Sequence, residues 1–275
     1  MAEMSKEIPT ISLIVSTYNW PAALEKCIQS IFKQTHLPDE ILIADDGSGD
    51  ATQETIKQLK KDSPIPIVHV WHPDNGFRLS AIRNKAIVQA QYDYIIQIDG
   101  DIIIDKEFIK DHLALSQKDT FLCGSRVLLS QAYSAQLLNQ PAIEKLNKLK
   151  FPLGSVLNSL RIPFLSKIMA DRYKKNKPRA LRGCNMSFWK KDLINVNGYN
   201  ESIQGWGSED AELAIRLINN GIKKRFLKFG AIAYHIFHKE NNKENLPENE
   251  TILFTSNRDN LRWIANGIKK TKLFY

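Results

Sequence analysis

The sequence is poor in cysteine and contains no long apolar run. Its three cysteines are scattered along the chain, and their odd number and irregular spacing argue against a disulfide framework or a cysteine metal site. The first nine residues are polar and charged, without the apolar core of a signal peptide, and no apolar stretch is long enough to span a bilayer. We therefore expect a cytoplasmic protein that meets a membrane only from its surface.

Internal repeats are also missing, and the composition is that of an ordinary globular protein, with 43% hydrophobic and 25% charged residues. Disorder and fibrous architecture are therefore excluded. The 275 residues fit one large α/β domain, alone or with a smaller appendage. The formal net charge of +8 favours an anionic partner, namely nucleotide phosphates, nucleic acid or an acidic membrane surface.

Short β-branched segments alternate with helical patterns over the first hundred residues. One helical pattern follows Pro21, and a second follows Asp50, which can cap it. A third helical pattern runs from Leu79 to Gln91. The predicted strands are residues 10–15, 40–44, 67–71 and 94–98. This alternation predicts an α/β fold with a mostly parallel, Rossmann-like central sheet flanked by helices. Ligands bind at the carboxyl ends of such strands.

The regular alternation stops near residue 128. Residues 129–181 are helical in pattern, Leu-rich and basic, and we interpret them as an insertion between a half at 1–128 and a half at 182–275. Two interpretations of the insertion stay open: an amphipathic surface on an anionic bilayer, or a solvated basic helix that packs on the domain. In the last part we predict a strand at 184–189, a helix at 208–220, a strand at 231–235 and a terminal helix at 250–266.

Two carboxylates, Asp99 and Asp101, follow the fourth predicted strand with Gly100 between them. Two acids at this spacing can share a divalent cation, which would stabilise the charge on a departing diphosphate. Asp-Gly-Asp also makes good turns, so the motif alone leaves both interpretations open. His235 and His238, at the end of a later strand, can join such carboxylates around a divalent metal such as manganese, although a lone histidine is more often structural.

A second acidic pair, Asp45 and Asp46, ends the second predicted strand. A carboxylate there can accept a hydrogen bond from the N–H of a uracil ring, or the pair can belong to a turn that Asp50 caps. Arg78 and Arg83, near the start of the third helix, suit phosphate or base contacts. The alternative for both arginines is ordinary solvation on a helix surface.

The segment 204–210 places Trp206 between two glycines and Glu209 and Asp210 at the start of a helix. The helix dipole keeps such carboxylates ionised, and a general base for a sugar hydroxyl must be ionised. Trp206 offers a flat face for a pyranose ring. The alternative is that Ser208 caps the helix and the two acids only complement its dipole.

In this order the motifs resemble the nucleotide-binding half of family 2 glycosyltransferases with the GT-A fold, over about residues 10–128. They are IVSTYN at 14–19, ADDGS at 44–48, RN at 83–84 and DGD at 99–101. RGCNMSF at 182–188 and GWGSED at 205–210, with the segment up to His238, resemble β-1,4-galactosyltransferases and bacterial chondroitin-synthase-like enzymes. The insertion has no counterpart in this resemblance.

The resemblance implies inverting transfer from a UDP-sugar to an acceptor hydroxyl, with Mn²⁺ or Mg²⁺ at the diphosphate. Asp210 corresponds to the base and Glu209 to the residue that orients the acceptor. The other implied positions bind the donor (Ser16, Asp46, Arg78, Arg83, Asp99, Gly183 and Trp206) or the metal (Asp99, Asp101, His235 and His238). Galactosyltransferases have a methionine and a histidine where this chain has His235 and His238, so either imidazole remains a candidate ligand.

A hexose or N-acetylhexosamine donor and a glycan or lipid-linked glycan acceptor fit this resemblance, as in bacterial surface polysaccharide or lipopolysaccharide synthesis. We expect an anionic membrane surface as a further partner and no nucleic acid. Three alternatives stay open: a sugar-nucleotidyltransferase, which should carry a glycine-rich loop that this chain lacks, a metal-dependent hydrolase that uses the same acids and histidines, and a basic nucleic-acid-binding protein, for which no motif is found.

Overall fold

The computed structural model describes residues 9–143, 146–175, 177–239 and 242–270. The prediction about the polar amino terminus therefore falls almost wholly outside the described residues. The strands are β1 (Ile11–Thr17), β2 (Glu40–Asp45), β3 (Ile67–Trp71), β4 (Tyr94–Asp99), β5 (Ile102–Ile104), β6 (Thr120–Gly124), β7 (Val127–Leu128), β8 (Met186–Trp189), β9 (Lys223–Leu227) and β10 (Ala233–His235).

The helices follow the strands on both faces of the sheet. They are α1 (Pro21–Phe32), α2 (Asp50–Asp62), α3 (Leu79–Gln89), α4 (Phe108–Leu115), α5 (Gln131–Leu138), α6 (Leu153–Val156), α7 (Pro163–Met169), α8 (Lys190–Asn195), α9 (Glu209–Asn219) and α10 (Leu246–Arg258), with 3₁₀ turns at Lys148–Lys150 and Leu157–Ser159. Within the described residues, no helix combines the length and apolarity that crossing a membrane requires.

The central sheet has the strand order β3-β2-β1-β4-β8-β6-β9. Every pair is parallel except those of β8, which runs antiparallel to both β4 and β6. All seven residues of β1 are buried, as expected for a strand with a hydrophobic core on each face. One core lies under α1 and α2 and the other under α3 and α9. The predicted α/β fold with a mostly parallel sheet is confirmed.

A second, three-stranded sheet has the order β5-β10-β7, and the insertion packs on it. The ring of Phe151 lies 5.4 Å from that of Tyr234 on β10 and 6.3 Å from that of Tyr133 on α5. The helical pattern of the insertion is realised as short pieces, because proline cannot sit inside a helix and occurs at Pro141, Pro152 and Pro163. The insertion is thus attached to the sheet that also carries His235.

Several predicted boundaries differ from the structure. Gly49 rather than Asp50 is the N-cap residue of α2, so Asp50 is the first helical residue and makes no side-chain cap. The terminal helix covers Leu246–Arg258 and stops eight residues before the predicted end at 266, because Asn260 adopts a left-handed conformation with φ 49°. β5, β6, β7, β9, α4 and α8 were not predicted, since most of these elements are too short to show a period.

Candidate active site

The candidate site, called the cleft below, lies where β1 and β4 end side by side. Ser16 on β1 is in register with Asp99 on β4, and the N–H of Gly100 donates to the Ser16 carbonyl at 2.7 Å. A Cβ at Gly100 would lie 3.1 Å from that carbonyl oxygen, so the glycine allows the two strand ends to approach closely. The loop before α9 closes the other side of the cleft and brings Asp210 to the same place.

Arg83 connects the two sides. Its side chain is 1% exposed, and it donates from Nη2 to Asp99 Oδ1 at 2.8 Å, from Nη1 to Asp210 Oδ1 at 3.0 Å and from Nε to Ser16 Oγ at 3.1 Å. Burial works to lower the pKa of Arg83, but its interactions with Asp210 first, then Tyr199 and Asp99, outweigh burial and raise the pKa above its ordinary value. Arg83 therefore holds carboxylates from the first and the last part of the chain in one site.

Asp210 is held by one of its two oxygens. Oδ1 accepts hydrogen bonds from Arg83, from the hydroxyl of Tyr199 at 3.1 Å and from Nε2 of Gln97 at 3.5 Å. Oδ2 lies against the backbone of Gly183, where an added Cβ would be only 1.7 Å away. Gly183 is thus needed for the position of Asp210. In this part of the structure the chain fixes the direction of the carboxylate through Oδ1 while Oδ2 forms none of these bonds.

Glu209 and Asp99 lie next to the same charged groups, Arg83 and Asp210. Burial, followed by the charge of Asp210, raises the pKa of Glu209 to about 8, and burial raises that of Asp99 to about 6 against the opposing effect of Arg83. Oε2 of Glu209 is buried without a hydrogen-bond partner. A neutral carboxylic acid with a free oxygen can exchange hydrogen bonds with a hydroxyl group, so Glu209 is chemically suited to contact a sugar.

Asp101, His235 and His238 form a cluster in which one ligand atom from each side chain lies within 4.8 Å of the others. Asp101 Oδ2 lies 3.2 Å from Nε2 of His238 and 3.5 Å from Nε2 of His235. β5 and β10 pair His235 with Ile102, directly after Asp101. The predicted convergence of these three residues is present, whereas Asp99 points to Arg83 and lies outside the cluster, so that its role as a metal ligand stays a prediction.

The donor set of this cluster fits a first-row divalent cation. Nδ1 of His238 lies 2.6 Å from the Lys239 carbonyl and must carry the proton to bond with it, which leaves Nε2 free to bind a metal. Oδ1 of Asp101 is buried without a hydrogen-bond partner. The hydrogen bond to Asp101 raises the pKa of His238, while burial lowers that of His235. Two imidazoles and one carboxylate are ligands that manganese accepts.

Asp46 directly follows β2, and its N–H donates to the Thr17 carbonyl at the end of β1 at 3.0 Å. Its Oδ1 is 2.7 Å from Nε2 of His72, and its Oδ2 accepts the backbone N–H of Arg78 at 2.8 Å. Burial raises the pKa of Asp46 against these two hydrogen bonds. Both oxygens thus already have partners, so the uracil contact stays a prediction, and so does a donor contact by the side chain of Arg78. Neighbouring Asp45 accepts the N–H of Ser48 at 2.8 Å and serves the turn.

Trp206 lines a pocket of about 370 Å³ and is 40% exposed. The pocket joins the loop before α3 to the loop before α9, since the N–H of Gly205 donates to the Phe77 carbonyl at 3.1 Å. Ser208 is the N-cap residue of α9, but its φ is 76° and its side chain makes no cap, so the alternative role of Ser208 as a side-chain cap is wrong. A larger groove of about 750 Å³ lies along α3, and its lining includes Arg78 but none of the clustered acids.

Three residues of the site were missed by sequence reasoning. Tyr199 and Gln97 orient Asp210 and bond to each other at 2.8 Å, and His72 holds Asp46. Gln97 is the one polar residue in the apolar run YIIQI of β4, and a buried polar side chain needs a partner, which was an available signal. Tyr199 and His72 carried no comparable signal, since they lie in irregular segments.

Comparison with known families agrees with this geometry. The family model described as "Glycosyl transferase family 2" matches residues 12–191. The chain belongs to glycosyl transferase family 2. A second model, described as "N-terminal domain of galactosyltransferase", matches residues 165–239 of this family 2 chain. Together the two matches confirm the resemblance predicted for each half.

The relatives extend the comparison to named proteins. The chain is 29% identical over 238 residues to a hyaluronan synthase of Pasteurella multocida and 28% identical over 243 residues to a chondroitin synthase of the same species, and covers 24% of the length of each. The S. aureus TarS 1-349 structure in complex with UDP superposes with a TM-score of 0.59 at 17% identity, over 89% of this chain and 64% of that one. This likeness agrees with the GT-A-like α/β fold.

Proposed function

We propose that this chain is an inverting glycosyltransferase that moves a hexose or N-acetylhexosamine from a UDP-sugar to a hydroxyl of a glycan acceptor. The observation that carries the proposal is that Asp101, His235 and His238 cluster two residues after Asp99, which Arg83 joins to the fixed carboxylate of Asp210, in a family 2 chain. UDP as the nucleotide is supported by the TarS complex, and a polysaccharide acceptor by the hyaluronan and chondroitin synthases.

Asp210 acts as the general base in this proposal. Its Oδ1 is saturated by Arg83, Tyr199 and Gln97, which leaves Oδ2 to take the proton of the acceptor hydroxyl. Glu209, protonated at neutral pH because its pKa is raised to about 8, donates a hydrogen bond to the acceptor or the donor sugar. Arg83 keeps both halves of the site in place and is a positioning residue.

Asp101, His235 and His238 would hold the divalent cation. When bound, manganese or magnesium would stabilise the negative charge of the leaving diphosphate as a Lewis acid. Asp46, held by His72, would contact the base of the nucleotide, and Trp206 would pack against a sugar ring. Asp99 is placed by Arg83 at the inner end of the same cleft and contributes negative charge next to the cation cluster.

The decisive experiment replaces Asp210 by asparagine. Transfer from a UDP-sugar to acceptor should fall by about 10³-fold or more, in the range of general-base loss combined with misplacement, while UDP and Mn²⁺ affinities stay within about twofold. Asp259→Asn, a change of the same kind on an exposed aspartate outside the cleft, is the matched control. Loss of UDP binding in Asp210→Asn would assign this residue to the donor site instead.

The donor and the reaction class can be identified together. A panel of nucleotide sugars should stabilise the protein against heat only when manganese is present, since binding to the folded state raises the melting temperature. Asp101→Asn should remove the manganese dependence. Release of free sugar without any acceptor requirement would favour the metal-dependent hydrolase, and joining of a sugar phosphate to a nucleotide would favour the nucleotidyltransferase.

We further propose that the enzyme works in the cytoplasm at an anionic membrane surface, in the synthesis of a bacterial surface polysaccharide or lipopolysaccharide. The net charge of +8 supports an anionic surface as partner, and the similarity to the hyaluronan and chondroitin synthases supports polysaccharide synthesis. Duplex DNA is not expected to bind tightly at physiological salt, and salt-resistant DNA binding without sugar transfer would favour the nucleic-acid alternative.

A further inference from the structure

The positive charge of this protein is concentrated in one segment. Residues 146–182 contain ten lysines and arginines and a single acidic residue, Asp171. This segment therefore has a net charge of +9, whereas the whole chain has +8, so the remainder is close to neutral. Asp171 is itself neutralised, since it pairs with Arg225 at 2.7 Å. A ligand attracted by charge would thus be attracted to this segment rather than to the molecule as a whole.

The same segment exposes large apolar side chains. Leu149 is 94% exposed, Phe164 73% and Leu157 64%, and three further apolar residues of the segment, Ile162, Leu165 and Ile168, are also exposed. Six exposed large apolar side chains within one segment, three of them on the single helix α7, indicate an interaction site. Nucleic acid would leave these side chains in water, whereas a lipid bilayer buries apolar and basic groups at the same time.

α7 shows the amphipathic arrangement most clearly. Phe164 and Ile168 are four residues apart and so lie on one face of the helix, and Leu165 is next to them; all three are exposed. Lys167 lies beside them and is also exposed. Ser166, on the opposite side, is buried and lies close to Gly230. Within the described residues, no carboxylate pairs with Lys167 or with the exposed Arg172. The outward face of α7 therefore combines three apolar side chains with Lys167, and Arg172 follows three residues after the helix ends.

Backbone and side-chain contacts attach this segment to both halves of the fold. The N–H of Ile162, before α7, donates to the Phe229 carbonyl at 2.9 Å, and the carbonyl of Ala170, after it, accepts the N–H of Phe226 at 3.0 Å. Arg161 forms a bidentate pair with Asp111 at 2.7 and 3.0 Å. The residues that contact the two ends of α7, Phe226 and Phe229, are followed within a few residues by β10, which carries His235.

We propose that residues 146–175 and 177–182 form a docking surface for an anionic lipid bilayer. Phe164, Leu165 and Ile168 enter the headgroup region, and Lys167 and Arg172, with the other cations of the segment, bind lipid phosphates. Docking through a rigid support next to β10 holds the cleft at the membrane surface. If the chain transfers sugars as proposed, this orientation favours a lipid-linked glycan as the acceptor. The docking itself does not depend on the reaction.

Vesicle sedimentation tests the proposal without any substrate. The full chain should bind vesicles of phosphatidylcholine with phosphatidylglycerol at least about tenfold more strongly than vesicles of phosphatidylcholine alone, because basic residues near an anionic surface each favour binding, and salt should weaken this binding. Phe164→Ser should lower the affinity by about tenfold, the effect of withdrawing one aromatic side chain from the lipid. Val88→Ser on α3, where Val88 is 54% exposed, is the matched control and should bind as the native protein.

The outcomes separate docking from catalysis. Phe164→Ser and native protein should have the same melting temperature and the same transfer rate to a water-soluble acceptor, since Phe164 is outside the cleft. The absence of vesicle binding at low salt, equal binding by Phe164→Ser and native protein, or an equal loss in Val88→Ser would each overturn the proposal. If vesicles bind as expected and no nucleotide sugar reacts, the proposed function fails while the docking surface stands.

Discussion

Gly183 is the position where one added methyl group should disable the proposed base without changing its chemistry. In Gly183→Ala the new Cβ would lie 1.7 Å from Asp210 Oδ2 and 2.4 Å from its Cγ. Non-bonded heavy atoms lie about 3.5 Å apart, so the carboxylate must move by more than about 1 Å. That movement stretches the hydrogen bonds from Arg83 and Tyr199, which are now 3.0 and 3.1 Å long.

The expected effect is on turnover. A misplacement of about 1 Å costs roughly 100-fold in rate, so kcat should fall by about 100-fold while UDP and manganese affinities stay within about twofold. Overpacking should also lower the free energy of unfolding by about 1–3 kcal/mol. Steady-state kinetics with saturating donor, calorimetric titration of UDP with manganese, and urea unfolding provide the three numbers.

Two comparisons make this test specific. Gly154→Ala is the matched control, because nothing lies within 4 Å of a Cβ at Gly154, and it should keep native kcat. Since Gly183→Ala acts only through Asp210, adding it to Asp210→Asn should cause almost no further loss of kcat. A Gly183→Ala enzyme with kcat within twofold of the native value, or losses that multiply in the double variant, would refute the reasoning.

Tyr199→Phe removes a buried hydrogen bond to Asp210 and should lower the unfolding free energy by about 1.5–3 kcal/mol together with kcat; an unchanged urea midpoint contradicts this. In the native protein the folded state holds the Glu209 proton more tightly than the unfolded state, so the free energy of unfolding should fall as pH rises from 4.5 to about 8. Glu209→Gln lacks this proton and should therefore become more stable relative to the native protein over that range. A difference in unfolding free energy that does not depend on pH contradicts this prediction. Arg216→Met leaves the fully buried Glu212 unpaired and should cost about 3–5 kcal/mol, with the double variant Arg216→Met, Glu212→Leu partly recovering; a loss under 1 kcal/mol contradicts it.

The alternation of strands and helices was enough to predict the main sheet, and the acids at the strand ends predicted most of the residues around the cleft. The sequences of β1, β2 and β4 predict buried strands because most of their residues are apolar, and parallel strands bring their carboxyl ends to one edge. The sequence motifs at 99–101 and 205–210 therefore predicted a shared site, and the structure places Asp101, His235 and Asp210 around the same cleft.

The sequence could not predict which residue of each motif makes which contact. Asp99 and Asp101 are one residue apart, yet Asp99 turns to Arg83 and Asp101 to the histidines, because β4 ends between them and β5 begins. Arg83 was predicted to contact the donor, with ordinary solvation as the alternative, whereas its burial against Ser16, Asp99 and Asp210 depends on distant parts of the chain. Pairing of β5 with β10 joins residues more than a hundred positions apart through three residues each, which leaves no periodic signal.

The insertion shows the same limit. Its apolar residues were visible, but periodicity alone could not tell those that pack from those that face outward. Phe151 lies against Tyr133 and Tyr234 in the core, whereas Phe164, thirteen residues later, is 73% exposed. The proline positions break the segment into short pieces, and each piece takes its orientation from contacts elsewhere in the chain.

A crystal of the protein with manganese and UDP, measured for anomalous scattering at the manganese edge, tests the central claim most directly. We expect one peak within coordination distance of Asp101, His235 and His238, with the UDP diphosphate on it and Asp210 Oδ2 facing the open side of the same cleft. A peak held by other residues, or a carboxylate of Asp210 turned away from the bound nucleotide, would contradict the proposed site.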